Sequence, residues 1–161
     1  MAATKFPIAG GCACRFVRYR MMTKPMFVNC CHCTWCQRET GSAFVMNAII
    51  ETERVKRLDG VPQMILTPSA SGKGQKIMRC PKCWVALWSH YSGAGLKLAF
   101  VRVGTLDHPE LCPPDVHIFT STKQPWVTLS GDVPIRKGYY EREKLWPADS
   151  LKRRAALTAK S

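Results

Sequence analysis

Seven of this chain's nine cysteines fall in three short clusters, Cys12-Ala-Cys14, Cys31-His-Cys33-Thr-Trp-Cys36 and Cys80-Pro-Lys-Cys83. Thiols one or two residues apart reach a single tetrahedral ion from one tight segment, so any fold must bring these segments to metal. Cys12 and Cys14 have no partner pair nearby in sequence, and Cys80 and Cys83 lack one. Together they make four, closing a loop of about 65 residues whose entropy the metal offsets. Cys31, Cys33 and Cys36 make a set of three. A closed set of four thiolates holds a fold together, whereas three leave a coordination position open for chemistry.

The competing use of so many cysteines is a disulfide framework. The odd count argues against it, and the first ten residues hold Lys5 and Pro7 where a secretory signal needs an apolar run. A reducing, cytoplasmic setting is expected, in which clustered cysteines serve metal or catalysis. At 161 residues and 46% hydrophobic the chain has material for one core, with no run of about 20 apolar residues to span a bilayer. The formal charge of +13 treats cysteines as neutral; two zinc ions on seven thiolates leave about +10. Residues 1–38 carry six basic side chains and no acid, and residues 136–161 carry eight against three. That field favours anionic partners: a small carboxylate substrate or nucleic acid.

Short apolar or alternating runs at 12–20, 26–31, 43–50, 64–66, 76–79, 85–90, 96–103 and 116–120 are separated by Gly, Pro, Ser and Asp clusters, which predicts an all-β fold. Helix is expected only at 35–40 and in the tail after Tyr139, with Lys152-Arg153-Arg154 a frayed helix or tail. Residues 1–135 read as the metal-binding domain and 136–161 as a basic C-terminal extension. In an extended chain alternate side chains share a face, so Cys12 pairs with Cys14 and Cys31 with Cys33. Cys30 then faces away as a small apolar residue, and His32 is at best a neighbour of the site. Cys112 is an orphan, expected as a free thiol.

Gly10-Gly-Cys12-Ala-Cys14 with Val17-Arg-Tyr19, Cys31-His-Cys33-Thr-Trp-Cys36-Gln-Arg38 with Gly41-Ser-Ala-Phe44, and Cys80-Pro-Lys-Cys83 resemble the glutathione-dependent formaldehyde-activating enzyme family, which includes the centromere protein V domain. The likeness covers roughly residues 8–135 and takes in His117-Ile-Phe119 and Pro125-Trp126. It implies a β-tent of small antiparallel sheets pinned by two zinc ions, one structural on Cys12, Cys14, Cys80 and Cys83, one catalytic on Cys31, Cys33 and Cys36. It also implies a carbon-sulfur lyase that joins formaldehyde to glutathione as S-(hydroxymethyl)glutathione. Arg15 and Trp84 stand where the family commonly has glycine, and altered turns are expected there.

The chemistry follows from the ligands as well. Zinc on three thiolates is a poorer Lewis acid than zinc on three histidines, so water activation is the weaker proposal. A fourth, incoming thiol would be held as thiolate and attack an aldehyde carbon. Binding of the aldehyde or hemithioacetal oxygen to zinc is the alternative order. Arg38 and Arg18 are the candidates to receive substrate carboxylates, through the planar guanidinium fork. His117 is the candidate proton donor to the developing alkoxide, and Trp126 and Phe44 are expected in the core or the pocket wall. The other readings are a nucleic-acid-binding module, whose mark is steep salt dependence, and a zinc scaffold without turnover. An exposed sheet edge would also let two copies pair as a homodimer.

Overall fold

The computed structural model describes residues 6–129 and 131–159; residues 1–5, 130 and 160–161, with the Lys5 of the basic N-terminal run, lie outside the described residues. Within it the alternating sequence forms β1 (Ile8–Gly11), β2 (Arg18–Met21), β3 (Phe27–Cys31), β4 (Val45–Glu51), β5 (Val55–Asp59), β6 (Gln63–Thr67), β7 (Gln75–Arg79), β8 (Ala86–Tyr91), β9 (Leu98–Arg102) and β10 (Val116–Ile118). Helices are few: α1 (Thr34–Thr40), α2 (Arg142–Leu145) and α3 (Ala148–Thr158). The fold is mostly β with a short C-terminal helix, as the residue pattern predicts. No described helix is long and apolar enough to cross a membrane.

The strands make two sheets. One has three strands in the order β1-β2-β5; the other has seven, β10-β3-β4-β9-β8-β7-β6, antiparallel throughout except where β10 runs parallel to β3. Because side chains alternate across a strand, the larger sheet buries both faces. Val28, Ala48, Ile50 and Val101 meet Ile8, Tyr19 and Met21 of the small sheet and Val17 just before β2. Phe27, Cys31, Ile49 and Leu98 face the other way, against Trp146. Ile49 and Ile50 are thus buried on opposite sides, each contributing about 2 kcal/mol.

The second face is covered by the C-terminal extension, which docks through polar anchors. Ser150 Oγ donates to the Met26 carbonyl at 2.7 Å, Arg153 Nε donates to Glu51 Oε1 at 2.8 Å, and the Trp146 ring stacks on Phe27 with centroids 5.4 Å apart. Trp146 Nε1 donates to the Tyr140 hydroxyl, which donates to Asn29 Oδ1, both at 2.9 Å. The run 152–154, expected to fray, therefore lies inside α3, because Arg153 reaches a buried carboxylate.

Two further expectations are corrected. The span 12–20 is not one strand: residues 12–17 form the turn between β1 and β2. That turn is tight enough that a Cβ on Gly11 would lie 2.4 Å from the Val17 carbonyl oxygen, so the position takes glycine. β5, absent from the predicted strands, is mostly exposed and charged at the edge of the small sheet, so it has no apolar alternation to read.

Candidate metal centres and the cavity beside them

Cys12, Cys14, Cys80 and Cys83 converge with their sulfurs all within 4.8 Å of one another. The 3.5 Å between Cys12 and Cys14 and 3.6 Å between Cys14 and Cys80 approach the edge of about 3.8 Å expected of a tetrahedron with 2.3 Å zinc-sulfur bonds. Both pairs sit in matching knuckles rather than strands. The Cys12 amide donates to the Val17 carbonyl and the Arg15 amide to the Cys12 carbonyl, each at 3.1 Å; Cys80 with Val85 and Trp84 with Cys80 repeat the pattern at 3.0 Å. Backbone amides also point at sulfur, Val17 to Cys12 Sγ at 3.3 Å and Lys82 to Cys80 Sγ at 3.4 Å. Burial opposes charge on Cys83, but the amides of Cys14 and Val85 and the sulfurs of Cys14 and Cys80 outweigh it and bring its thiol down to about 6. Four thiols so supported can hold a zinc ion.

The turns expected to be altered by Arg15 and Trp84 are kept. Both residues adopt the left-handed backbone, at φ +62°, that glycine would take there. In each turn the residue after the second cysteine folds its amide back on the first cysteine's carbonyl, which the left-handed backbone accommodates.

Cys31, Cys33 and Cys36 form the second group, again within 4.8 Å. Cys31 ends β3, Cys33 caps α1 with its sulfur accepting from the Cys36 amide at 3.3 Å, and Cys36 lies in the helix's first turn. Gly41, at φ +64°, ends α1 by donating its amide to the Gln37 carbonyl at 2.8 Å. Hydrogen bonds from Cys31 and Cys36, with amides of Cys36 and Trp35, pull the Cys33 thiol far down; giving those bonds pushes Cys31 up. Three sulfurs so closely coupled make an environment that favours a cation. The donor set fits zinc.

Helix α1 is held by two clamps. Gln37 Nε2 donates to the His32 carbonyl at 2.7 Å and to the Thr122 carbonyl at 2.9 Å, tying the helix to the loop after β10. Glu39 is buried and accepts from Arg79 and, at 3.1 Å, from buried Arg102, which also donates to Asn47 Oδ1 and Ser89 Oγ. Burying opposite charges in contact keeps the helix, and Cys36 on it, in one place.

The three sulfurs open on a cavity of about 510 Å³, within the range of small-molecule sites. Asn29, Asn47, Tyr91, Phe100 and Ile118 line it together with Tyr139, Arg142, Trp146 and Arg154 of the extension and Lys73 of the β6–β7 turn. Phe119 reaches it through a left-handed backbone at φ +54°. Burial raises the Tyr91 phenol, whose nearest charges are Arg102, Cys36 and Cys31, so it stays protonated. No other thiol, no imidazole and no carboxylate among the described residues lines this cavity.

The remaining candidates lie elsewhere. Arg18 makes a two-pronged ion pair with Asp107 beside the small sheet, with Nη1 to Oδ1 at 2.9 Å. Arg38 is exposed on α1, about 200° around the helix from Cys36, and does not line the cavity. His117 pairs in register with Cys30, while Ile118 pairs with Cys31, so the imidazole is on the face of β3 away from the trio. There His117 Nδ1 lies 3.0 Å from Nε2 of fully buried His32, itself 3.5 Å from Cys30 Sγ. Burial, then His117, lowers His32 to about 4, so the pair is neutral. Cys112 is buried in the core between the sheets, and burial pushes its thiol up to about 11. Trp126, expected in the core or the pocket wall, is exposed. Arg142, Arg154 and Lys73 were missed as site residues, since nothing local distinguishes them from solvated charges.

Residues 7–122 match the family model described as glutathione-dependent formaldehyde-activating enzyme, a span that contains both cysteine groups and stops short of the extension. No curated protein matches the chain. Among solved structures, the crystal structure of a Rhodobacter sphaeroides protein is similar, with a TM-score of 0.47 and 17% identity over 62% of this chain and 88% of that one.

Proposed function

Because this chain belongs to the glutathione-dependent formaldehyde-activating enzyme family, we propose that it is a carbon-sulfur lyase-type enzyme that joins a glutathione-like thiol to formaldehyde or another small carbonyl compound. The observation that carries this reading is the trio of Cys31, Cys33 and Cys36, three converging sulfurs at the wall of a cavity that offers no further thiol, imidazole or carboxylate among the described residues. A zinc ion held there supplies a position at which an incoming thiol stays deprotonated and nucleophilic at neutral pH. Cys12, Cys14, Cys80 and Cys83 hold a second zinc whose role is to join the small sheet to the large one.

The chain's own groups do the rest. Phe100, Ile118 and Trp146 exclude water from the bound adduct. As the carbon-sulfur bond forms, the carbonyl electron pair moves to oxygen, and Tyr91 donates its hydroxyl proton to that oxygen. Arg102, behind Cys36 and Tyr91, favours the anionic forms of both. His117, across β3, acts as a positioning residue: through His32 it fixes the chain between Cys31 and Cys33.

The test is thiol-dependent consumption of formaldehyde by the zinc-loaded protein, followed by carbon-13 NMR, with Cys33→Ser as control. A rate of hydroxymethyl thioether formation equal to that of the uncatalysed mixture would reject the reading.

A further inference from the structure

Two of the cavity's three cations come from outside the family-matched span. Arg142 and Arg154 belong to the extension, and both line the same cavity as the cysteine trio, with Lys73 reaching it from the β6–β7 turn. Three cations share this lining with no carboxylate among the described residues to separate them. Arg154 has no ion pair among the described residues, and Arg142 comes no closer than 3.8 Å to a carboxylate, that of its own neighbour Glu143. Both guanidiniums are half-buried.

The neighbouring arginine shows the contrast. Arg153 is fully engaged, with Glu51 on one side and the Lys24 carbonyl on the other at 2.9 Å, and it docks α3. One residue further along the helix, about 100° round, Arg154 is turned to the cavity instead. Arg142 is held over the Trp146 ring, 5.4 Å from its centroid, so its fork is fixed in direction. Burial and then the charge of Arg142 lower Arg154's hold on its proton, the mark of two like charges brought together partly out of water. Such a pair is stabilised when an anion bridges it.

We propose that the extension builds a carboxylate-binding subsite onto this cavity, in which Arg142 and Arg154 hold the acid groups of an anionic thiol. The proposal rests on the reading that the cavity takes a glutathione-like thiol, and deepens it by assigning to the extension the groups that hold that thiol's carboxylates. Each guanidinium offers two parallel N–H donors to a carboxylate, a geometry that lysine cannot match.

Calorimetric titration of the zinc-loaded full chain tests it, with glutathione, S-methylglutathione and 2-mercaptoethanol as probes. Arg142→Gln and Arg154→Gln should each weaken both peptides about tenfold, and the double variant about a hundredfold. Binding of 2-mercaptoethanol should not change, and Lys152→Gln, on the exposed side of α3, should bind all three probes as the unaltered chain does. Equal peptide affinity in the double variant and the unaltered chain overturns the subsite. A loss that extends to 2-mercaptoethanol also overturns it, because the arginines would then be shaping the cavity as a whole. Should the double variant fail to fold, S-methylglutathione binding to the unaltered chain decides: it should weaken from about 0.05 to 0.5 M salt, and constancy overturns the subsite. Failure of the thiol-metal reading looks different, since glutathione and S-methylglutathione would then bind equally and both would still weaken in the arginine variants.

Discussion

Arg15 and Trp84, 69 positions apart in sequence, share one backbone conformation: each sits at φ +62° immediately after the second cysteine of its knuckle, with its amide turned onto the carbonyl of the first. An L side chain there meets its own carbonyl, at a cost of about 1–2 kcal/mol. The convergence of four sulfurs within 4.8 Å of one another over-determines both turns, so the strain persists.

Arg15 is exposed and its side chain contributes little packing. Arg15→Gly is therefore expected to raise the stability of the zinc-loaded protein by about 1 kcal/mol, and Arg15→Val, branched at Cβ, to lower it. Urea denaturation of the three proteins checks this. A glycine variant less stable than the original would mean that the turn is not strained.

Glu39 is the shared acceptor of Arg79 and Arg102, and both Glu39 and Arg102 have side chains only 7% exposed. Glu39→Gln leaves the Arg102 charge buried without its counter-charge, which should cost about 3–5 kcal/mol. Because α1 carries Cys36, the same variant should bind metal more weakly at the trio while the four-cysteine site is retained. Adding Arg102→Met should recover part of the stability, as the stranded charge is then gone.

The Glu51–Arg153 pair gives the docked helix a pH dependence. Burial raises the Glu51 carboxyl, but Arg153 outweighs it and holds the folded-state value below the ordinary 4.5. A depressed value means that the pair's contribution is complete above pH 4.5 and is lost as the pH falls through the folded-state value. The stability difference between the unaltered protein and Glu51→Gln should accordingly be largest near neutrality and shrink below pH 4.5. Taking the difference cancels acid losses common to both proteins, including those from the thiols. A difference that is constant down to pH 3, about 1.5 units below the ordinary carboxyl, would remove the pair from the account.

Tyr91 and His117 separate two choices of proton donor. Tyr91→Phe should lower kcat about a hundredfold with zinc content and glutathione affinity unchanged, since it removes only the hydroxyl. His117→Phe should destabilise the protein by disturbing His32 yet leave the pH profile of kcat as it was, because His117 lies across β3 from the sulfurs. The reverse result would return the proton transfer to the histidine.

The cysteine groups were legible in the sequence because a knuckle is local: two or three residues set the distance between its sulfurs, and only four ligands complete a closed tetrahedron. Most strands were legible for the same reason, since alternation is carried by neighbours, while β5 was hidden because an exposed edge has no apolar face to repeat. Strand alternation put Cys12 and Cys14 together through the wrong geometry, since a turn brings them to one side. What no local pattern contains is which face a strand presents after parallel pairing, and where a tail docks. The register of β10 against β3 turned Ile118 to the cavity and His117 away from it. The contacts of Arg153 with Glu51 and of Ser150 with the Met26 carbonyl fixed α3 against the sheet, and that docking distinguishes Arg154 from any other charge on a basic helix. The convergence of the cysteines is thus a property of spacing, whereas the placing of Arg154 at the cavity is a property of packing between residues more than a hundred positions apart.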